Sequence, residues 1–167
     1  LTDYHLCKQD GPYWAITNLG AILFANKLSE FPNMPGHEVI VRKYVGINNR
    51  QQEFEQHGFY GYAVGFEGLI DFIMNNTSTE QIDIKREAIP TYPRVAIREF
   101  VANALVHQDF AITGMPVTIE IFANRLTITN AGAPLNDINR LIDLPPQSRN
   151  ELLAQMMFTL GICERRG

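Results

Sequence analysis

The sequence has little with which to cross-link itself, span a bilayer or bind by charge alone. Only two of its 167 residues are cysteine, Cys7 and Cys163, at opposite ends and without CxxC spacing. Neither a disulfide framework nor a zinc site has a local signature, and a reduced, cytoplasmic setting is expected. No apolar run approaches the roughly 18 residues of a membrane span, and the opening LTDYHLCKQDG lacks the basic and apolar segments of a signal peptide. Insertion, secretion and a membrane partner are all unsupported. Charged residues make up 19% of the chain, 14 basic against 18 acidic, and the net charge of -4 opposes general attraction to a phosphate backbone. This chain alone is expected to be a poor nucleic-acid binder. It has neither a GxSxG elbow nor a glycine-rich loop ending in GKS or GKT, which argues against a serine hydrolase and a P-loop enzyme.

What is present is the composition of a globular domain, with 46% hydrophobic residues. A chain of this length buries about 70% of its unfolded surface, enough for a real core. The absence of an initiator methionine and the ending CERRG lead us to expect a piece of a longer protein.

Two regions differ in texture, 1–80 and 81–167, with no linker, repeat or low-complexity tract between them. In the first, Trp14 to Phe24 is expected to form a short helix turning Leu19, Ile22 and Leu23 inward, and Pro32, Pro35 and Gly36 then break the chain. After His37, the run EVIVRKYVG reads as a strand. A polar stretch, INNRQQEFEQHG, leads to a helix from Tyr62 to Met74 with Phe66, Leu69, Ile70 and Ile73 on one side, ended by Asn75 and Asn76. In the second region QIDIKREAI reads as an alternating strand with Ile82 and Ile84 on one face, stopped by Pro90. The most regular helix follows, entered through Thr91 and Pro93. VTIEIF and RLTIT are two alternating strands joined by a tight turn at Ala123 and Asn124. A last helix is expected around Asn150 to Leu160, beyond Pro145 and Pro146. The fold class is α+β, a mixed, largely antiparallel sheet with helices on one face. The strand from Gln81 to Ala88 is expected to join the sheet of the later hairpin.

At about 100° per residue, Glu99, Asn103 and His107 fall within about 80° of one another, while Ile97, Phe100, Val101, Ala104 and Leu105 occupy an arc from about 100° to 240°. The second set is the expected core, Phe100 included, and Gln108 is expected in solvent. The polar stripe has two readings: a ligand-facing surface, or the solvated side of an ordinary amphipathic helix.

The run REFVANALVHQDF, the hairpin, ITNAGAPL and the closing ERRG together resemble the GHKL ATPase superfamily of the gyrase B subunit, MutL, heat-shock chaperones and sensor histidine kinases. With TNLGAILFANK, VIVRKYVG and YPRVAIREFVANALVHQDF, the chain is more closely similar to the C-terminal part of bacterial RecG-like or AlbA-type transcriptional regulators. The resemblance implies a Bergerat-like ATP-binding region in the C-terminal half, with ATP and Mg²⁺ as cofactors. It makes Glu99 the residue that orients or deprotonates the attacking water, and Asn103 the Mg²⁺ ligand. His107 stands where relatives often carry a polar residue, and is either a nucleotide contact or a hydrogen-bonded surface or half-buried histidine, and Asp109 is either a nucleotide or metal contact or a helix-end turn former.

By the same resemblance, Asn130, Ala131, Gly132, Ala133 and Pro134 match the first glycine box, with Asn130 in place of an Asp that accepts from the adenine amino group; read from the residues alone, they are equally a strand ending in an Asn-Gly-rich turn that needs no ligand. An Asn still accepts through its amide oxygen but lacks the charge. Gly167 would open the second glycine box, whose continuation the sequence does not contain, so the phosphate cradle is incomplete. Gln147, Ser148, Arg149 and Asn150 lie where relatives have a lid; they approach phosphate, or else Ser148 or Asn150 caps the last helix. DNA is an expected partner only through a missing N-terminal domain, and a homodimer is a further expectation. The resemblance thus implies an ATP-binding regulatory module, with a non-catalytic interaction or dimerisation module as the alternative. His5 with Cys7 is either a metal pair or ordinary surface. Tyr13, Trp14, Phe59, Tyr60 and Tyr62 either stack bases or belong to the core.

Overall fold

Alternation of apolar and polar residues builds the central sheet, and the computed structural model describes residues 2–32, 34, 37–81, 87–89, 91–135 and 147–163. Strands β3 (Val39–Tyr44), β4 (Gln52–Gly58), β7 (Thr118–Ile121) and β8 (Leu126–Thr129) form it in the order β4-β3-β7-β8. Only the β3–β7 pair is parallel, with Val41 opposite Ile119 and Lys43 opposite Ile121. The β3–β4 and β7–β8 pairs are antiparallel. Val41, Ile119 and Ile121 therefore share the core face, while Arg42, Glu55, His57 and Glu120 share the polar one. The fold is α+β, a mixed and largely antiparallel sheet with its helices packed on the apolar face, as the sequence led us to expect.

Helices α1 (Asn18–Phe24), α2 (Tyr62–Thr77), α3 (Arg94–His107) and α4 (Glu151–Thr159) cover that face. Leu23, Phe66, Ile70, Ile73, Val101, Leu105, Ile119 and Met157 form the buried centre. Helix α1 is shorter than the expected span because its N-terminus is fixed by Thr17, whose hydroxyl accepts the Gly20 N–H at 3.1 Å and donates to the His5 carbonyl at 2.6 Å. Residues before it form a hairpin instead, β1 (Cys7–Asp10) with β2 (Tyr13–Ile16). Tyr13 and Trp14 are exposed on this hairpin, as are Phe59 and Tyr60 in their loop, whereas Tyr62 is buried.

Helix α2 runs past Asn75 and Asn76 to Thr77, where the Thr77 and Ser78 hydroxyls donate to carbonyls of the last turn. The polar stretch before it contains β4, an edge strand whose outward residues meet solvent. Strands β5 (Thr79–Gln81) and β6 (Glu87–Ile89) pair with each other in a separate two-stranded sheet. The expected continuous strand joining the hairpin sheet is thus corrected; Ile82, Ile84 and Pro90 lie outside the described residues, as do Pro35, Gly36, Pro145 and Pro146. The β7–β8 turn closes through the Phe122 N–H to the Arg125 carbonyl at 2.9 Å, and Asn124 has no positive φ. Among the described residues no helix is long and apolar enough to cross a membrane.

Candidate nucleotide site

Helix α3 is oriented by both of its ends. Near its start, Arg94 pairs with Asp71 at 2.5 Å and with Glu67 at 3.0 Å on α2, and Arg98 also pairs with Glu67 while its guanidinium lies 5.1 Å from the Phe66 ring centre. Those arginines hold the Glu67 carboxyl below the usual carboxylate range. At its far end, the Asn150 amide donates to the Val106 carbonyl at 2.7 Å and to the Gln108 carbonyl at 2.8 Å. Arg149 adds a bond to the His107 carbonyl at 3.4 Å, so a cation and an amide satisfy the terminal carbonyls and meet the negative end of the helix dipole.

Fixed in this way, α3 leaves a cleft of about 400 Å³ against β8. Asn103 and His107 line it from the helix, and Asn130 lines it from the residue after β8, on the same face as Leu126 and Ile128. Phe100, with 62% of its surface exposed, lines it too. Phe100 sits at one margin of the expected core arc, and here the neighbouring surface is the open cleft, so it is not a core residue. Gln108, expected in solvent, is 2% exposed, and its Oε1 has no partner among the described residues. The chain leaves the helix axis at Gln108 and turns that side chain inward.

The stripe that faces the cleft is Ala96, Phe100, Asn103 and His107, at spacings of four, three and four, rather than Glu99, Asn103 and His107. Glu99 is half-buried beside it and is tied to it: the Asn103 Nδ2 donates to the Glu99 carboxylate at 3.2 Å. That bond turns the Asn103 Oδ1 away from the carboxylate as an available acceptor. Amide oxygen and carboxylate one turn apart are donors of the type a hard cation takes. Among the described residues no three His, Cys, Asp or Glu side chains gather to hold a metal, so His5 and Cys7 form no such centre and a cation beside Asn103 would need oxygens from a ligand and water.

Asn130 has a defined orientation. Its Nδ2 donates to the Ala131 carbonyl at 3.2 Å, an arrangement only the NH₂ end can make, which leaves Oδ1 as an acceptor. The Ala131 carbonyl also accepts the Asp109 N–H at 2.9 Å, joining the glycine turn to the end of α3. Asp109 itself accepts the Ala111 N–H at 3.0 Å and lies 3.5 Å from Arg149, so it forms the helix-end turn. Gly132 has φ of +111° and faces Arg149 rather than the cleft, and Arg149 donates to the Ala133 carbonyl at 3.0 Å. Ser148 accepts the Asn150 N–H at 3.3 Å, and Asn150 precedes α4 without capping it through its side chain. Sequence reasoning thus placed Asn103, His107 and Asn130 together and put Glu99 on the same stripe, whereas in the structure Glu99 lies beside the cleft and does not line it; it missed Phe100, Leu126 and Ile128, whose signal was the four-three-four spacing and the strand alternation. Gly167 lies outside the described residues.

Residues 114–167 match the protein family described as "Putative ATP-dependent DNA helicase recG C-terminal", an ATPase-like domain family. The match includes Asn130 and Gly132 but not α3. Among solved structures, the chain is similar to the DIP2311 protein from Corynebacterium diphtheriae, with a TM-score of 0.67 and 16% identity. That similarity covers 92% of this chain and 30% of the other, so the chain spans under a third of its structural relative and shares its fold. The chain matches no curated protein.

Proposed function

We propose that this chain is an ATP-binding regulatory module of the GHKL type, in which the cleft between α3 and β8 receives the nucleotide base. The observation that carries the reading is the convergence of Asn103, His107 and Asn130 on one cleft from two elements. Leu126, Ile128 and the exposed Phe100 ring supply apolar surface for a planar base, and the Asn130 Oδ1 accepts from an exocyclic amino group such as that of adenine. The resemblance of REFVANALVHQDF to the family's helix and the match over 114–167 support the same reading.

Asn103 is the residue that would hold Mg²⁺, which when bound neutralises charge on the phosphates. Its amide oxygen is a hard, neutral ligand, and the Glu99 carboxylate holds that amide in orientation; by the family resemblance Glu99 is the residue that orients or deprotonates the attacking water. His107, at the end of α3, adds a polar edge to the same wall. The proposed role is to report nucleotide state within a DNA-associated regulator, in which a separate N-terminal domain would hold DNA and a second copy would be a further partner.

Paired calorimetry and phosphate-release assays with ATP and Mg²⁺ on a chain extended past Gly167 test the proposal. Glu99→Gln should lower hydrolysis by about 10² to 10⁴ and keep nucleotide binding. Asn103→Ala should weaken Mg²⁺-dependent binding itself. Binding that survives without any turnover in the wild-type protein selects the non-catalytic interaction module. Failure of every nucleotide to bind overturns the site.

A further inference from the structure

Strand β4 ends the sheet, and among the described residues it pairs only with β3. The Ile40 N–H donates to the Val117 carbonyl beside β7 at 2.9 Å, so Ile40 and Arg42 turn their main-chain groups to β7 while Val39, Val41 and Lys43 turn theirs to β4. Those three stand opposite Gly58, Gln56 and Phe54. The main-chain groups of Glu53, Glu55 and His57 therefore point away from the sheet, and the His57 carbonyl accepts from the Gln56 side-chain amide at 3.2 Å. Edges that are guarded against pairing carry proline, lysine or an inward-pointing charge. The strand QEFEQHG has no proline or lysine, and its inward residues over 54–58 are Phe54, Gln56 and Gly58.

The segment from Phe54 to Gly58 is complementary to itself. When two copies lie antiparallel with Gln56 opposite Gln56, Glu55 of each faces His57 of the other, and Phe54 of each faces Gly58 of the other. Glu55 and His57 are the residues whose main-chain groups point outward, so this register lets each pair exchange both of its hydrogen bonds. It also sets carboxylate against imidazole, whereas a register centred on Glu55 sets that carboxylate against itself and one centred on Phe54 sets Glu53 against Glu55. Within one copy His57 bonds Glu38 at 3.2 Å and Glu55 at 2.8 Å, and Glu55 bonds Arg42 at 2.6 Å, so pairing continues a row of alternating charge across the edge.

On the inner face the match is one of size. Nothing within one copy calls for glycine at position 58: its φ is not positive, and of the atoms beyond its chain neighbours the nearest to a Cβ there would be the Val39 carbonyl oxygen at 3.4 Å, an ordinary contact. An aromatic ring across the strands is the usual complement of a strand glycine. Gly58 also lines a hollow of about 440 Å³ between β3, β4 and α2, which the exposed Phe59, Tyr60 and Val64 line as well, so a ring arriving over Gly58 meets space and apolar surface.

We infer that β4 is the docking edge for a second copy of this chain, the two sheets joining about a two-fold axis at Gln56 with Glu55 against His57 and Phe54 over Gly58. The inference gives the second copy a place on the molecule. It does not rest on the nucleotide reading, because no residue of the cleft between α3 and β8 takes part.

Sedimentation velocity over a concentration series, with cysteine cross-linking to read the register, tests it. The expected result is a reversible dimer. In a protein carrying Cys7→Ser and Cys163→Ser, Gln56→Cys should join two copies under mild oxidation at least tenfold faster than Glu53→Cys, because position 56 meets its own counterpart at disulfide distance and position 53 does not. Glu55→Pro removes an outward N–H that β3 does not use, so it should fold and weaken the dimer at least tenfold. Gly58→Val should also fold and weaken the dimer at least tenfold, by filling the place of the Phe54 ring. A protein that stays monomeric at millimolar concentration overturns the docking edge. A dimer that cross-links equally at positions 53 and 56, or that a folded Glu55→Pro protein forms unchanged, uses another surface and overturns it as well. Failure of Gly58→Val to fold would show the glycine to be required within one copy and would overturn the argument from size, while the cross-linking still decides the register.

Discussion

Arg149 lies against Gly132 so closely that a Cβ at position 132 would sit 2.5 Å from the Arg149 Nη1. Gly132 is thus required by the chain's own packing, since its φ of +111° and the guanidinium both exclude a side chain. Arg149 closes the arrangement by bonding carbonyls of the glycine turn and of the α3 end together.

Gly132→Ala should therefore lose about 1–3 kcal/mol of stability from backbone strain and contact with Arg149. Arg149→Ala removes the contact but not the strain. In a double-mutant cycle by urea denaturation, the two changes should couple by about 0.5 kcal/mol or more. Simple additivity would mean that the turn and the arginine do not constrain each other.

Phe100, Leu105 and Gln108 separate the two sides of α3. Leu105→Ala should cost about 2–5 kcal/mol as a core truncation, and Gln108→Ala about 1–3 kcal/mol because its side chain is enclosed. Phe100→Ala should change stability by no more than about 0.5 kcal/mol and should weaken nucleotide binding, which calorimetry and chemical denaturation on the same preparations can distinguish.

These residues also show what the sequence could and could not convey. Periodicity identified α3 and the β7–β8 hairpin because each carries a continuous apolar face. It misjudged Phe100 because a residue at the margin of a helical arc is core or cleft according to what packs beside it, which the pattern does not contain. Strand β4 was hidden because an edge strand with one solvated face carries few apolar residues, only Phe54 at its centre. The hairpin β1–β2 was hidden by its exposed aromatic residues, which read as core. Gly132 was recognisable as part of a motif, but its partner Arg149 is 17 positions away and no local pattern links them.

His57 gives the protein a pH dependence. Its bonds to Glu55 and then Glu38 raise its pKa above the ordinary value, which is about 6.5. A raised value in the folded state means that the stabilisation is fully present below about pH 6.5 and is lost as pH rises through the folded-state pKa. The melting-temperature gap between the wild type and His57→Gln should thus be wider at pH 6 than at pH 9. His57 is nearly half exposed, so the gap should be small and should shrink in high salt.

The central claim is that the cleft between α3 and β8 receives a nucleotide base, and methyl NMR during an ATP titration with Mg²⁺, on a chain extended past Gly167, tests it most directly. Saturable shifts should appear at Ile97, Leu126 and Ile128, with Leu28 and Val45 unmoved, and the shifts should vanish in an Asn130→Leu protein that remains folded. Shifts confined to other residues, or none at saturating nucleotide, would contradict the account.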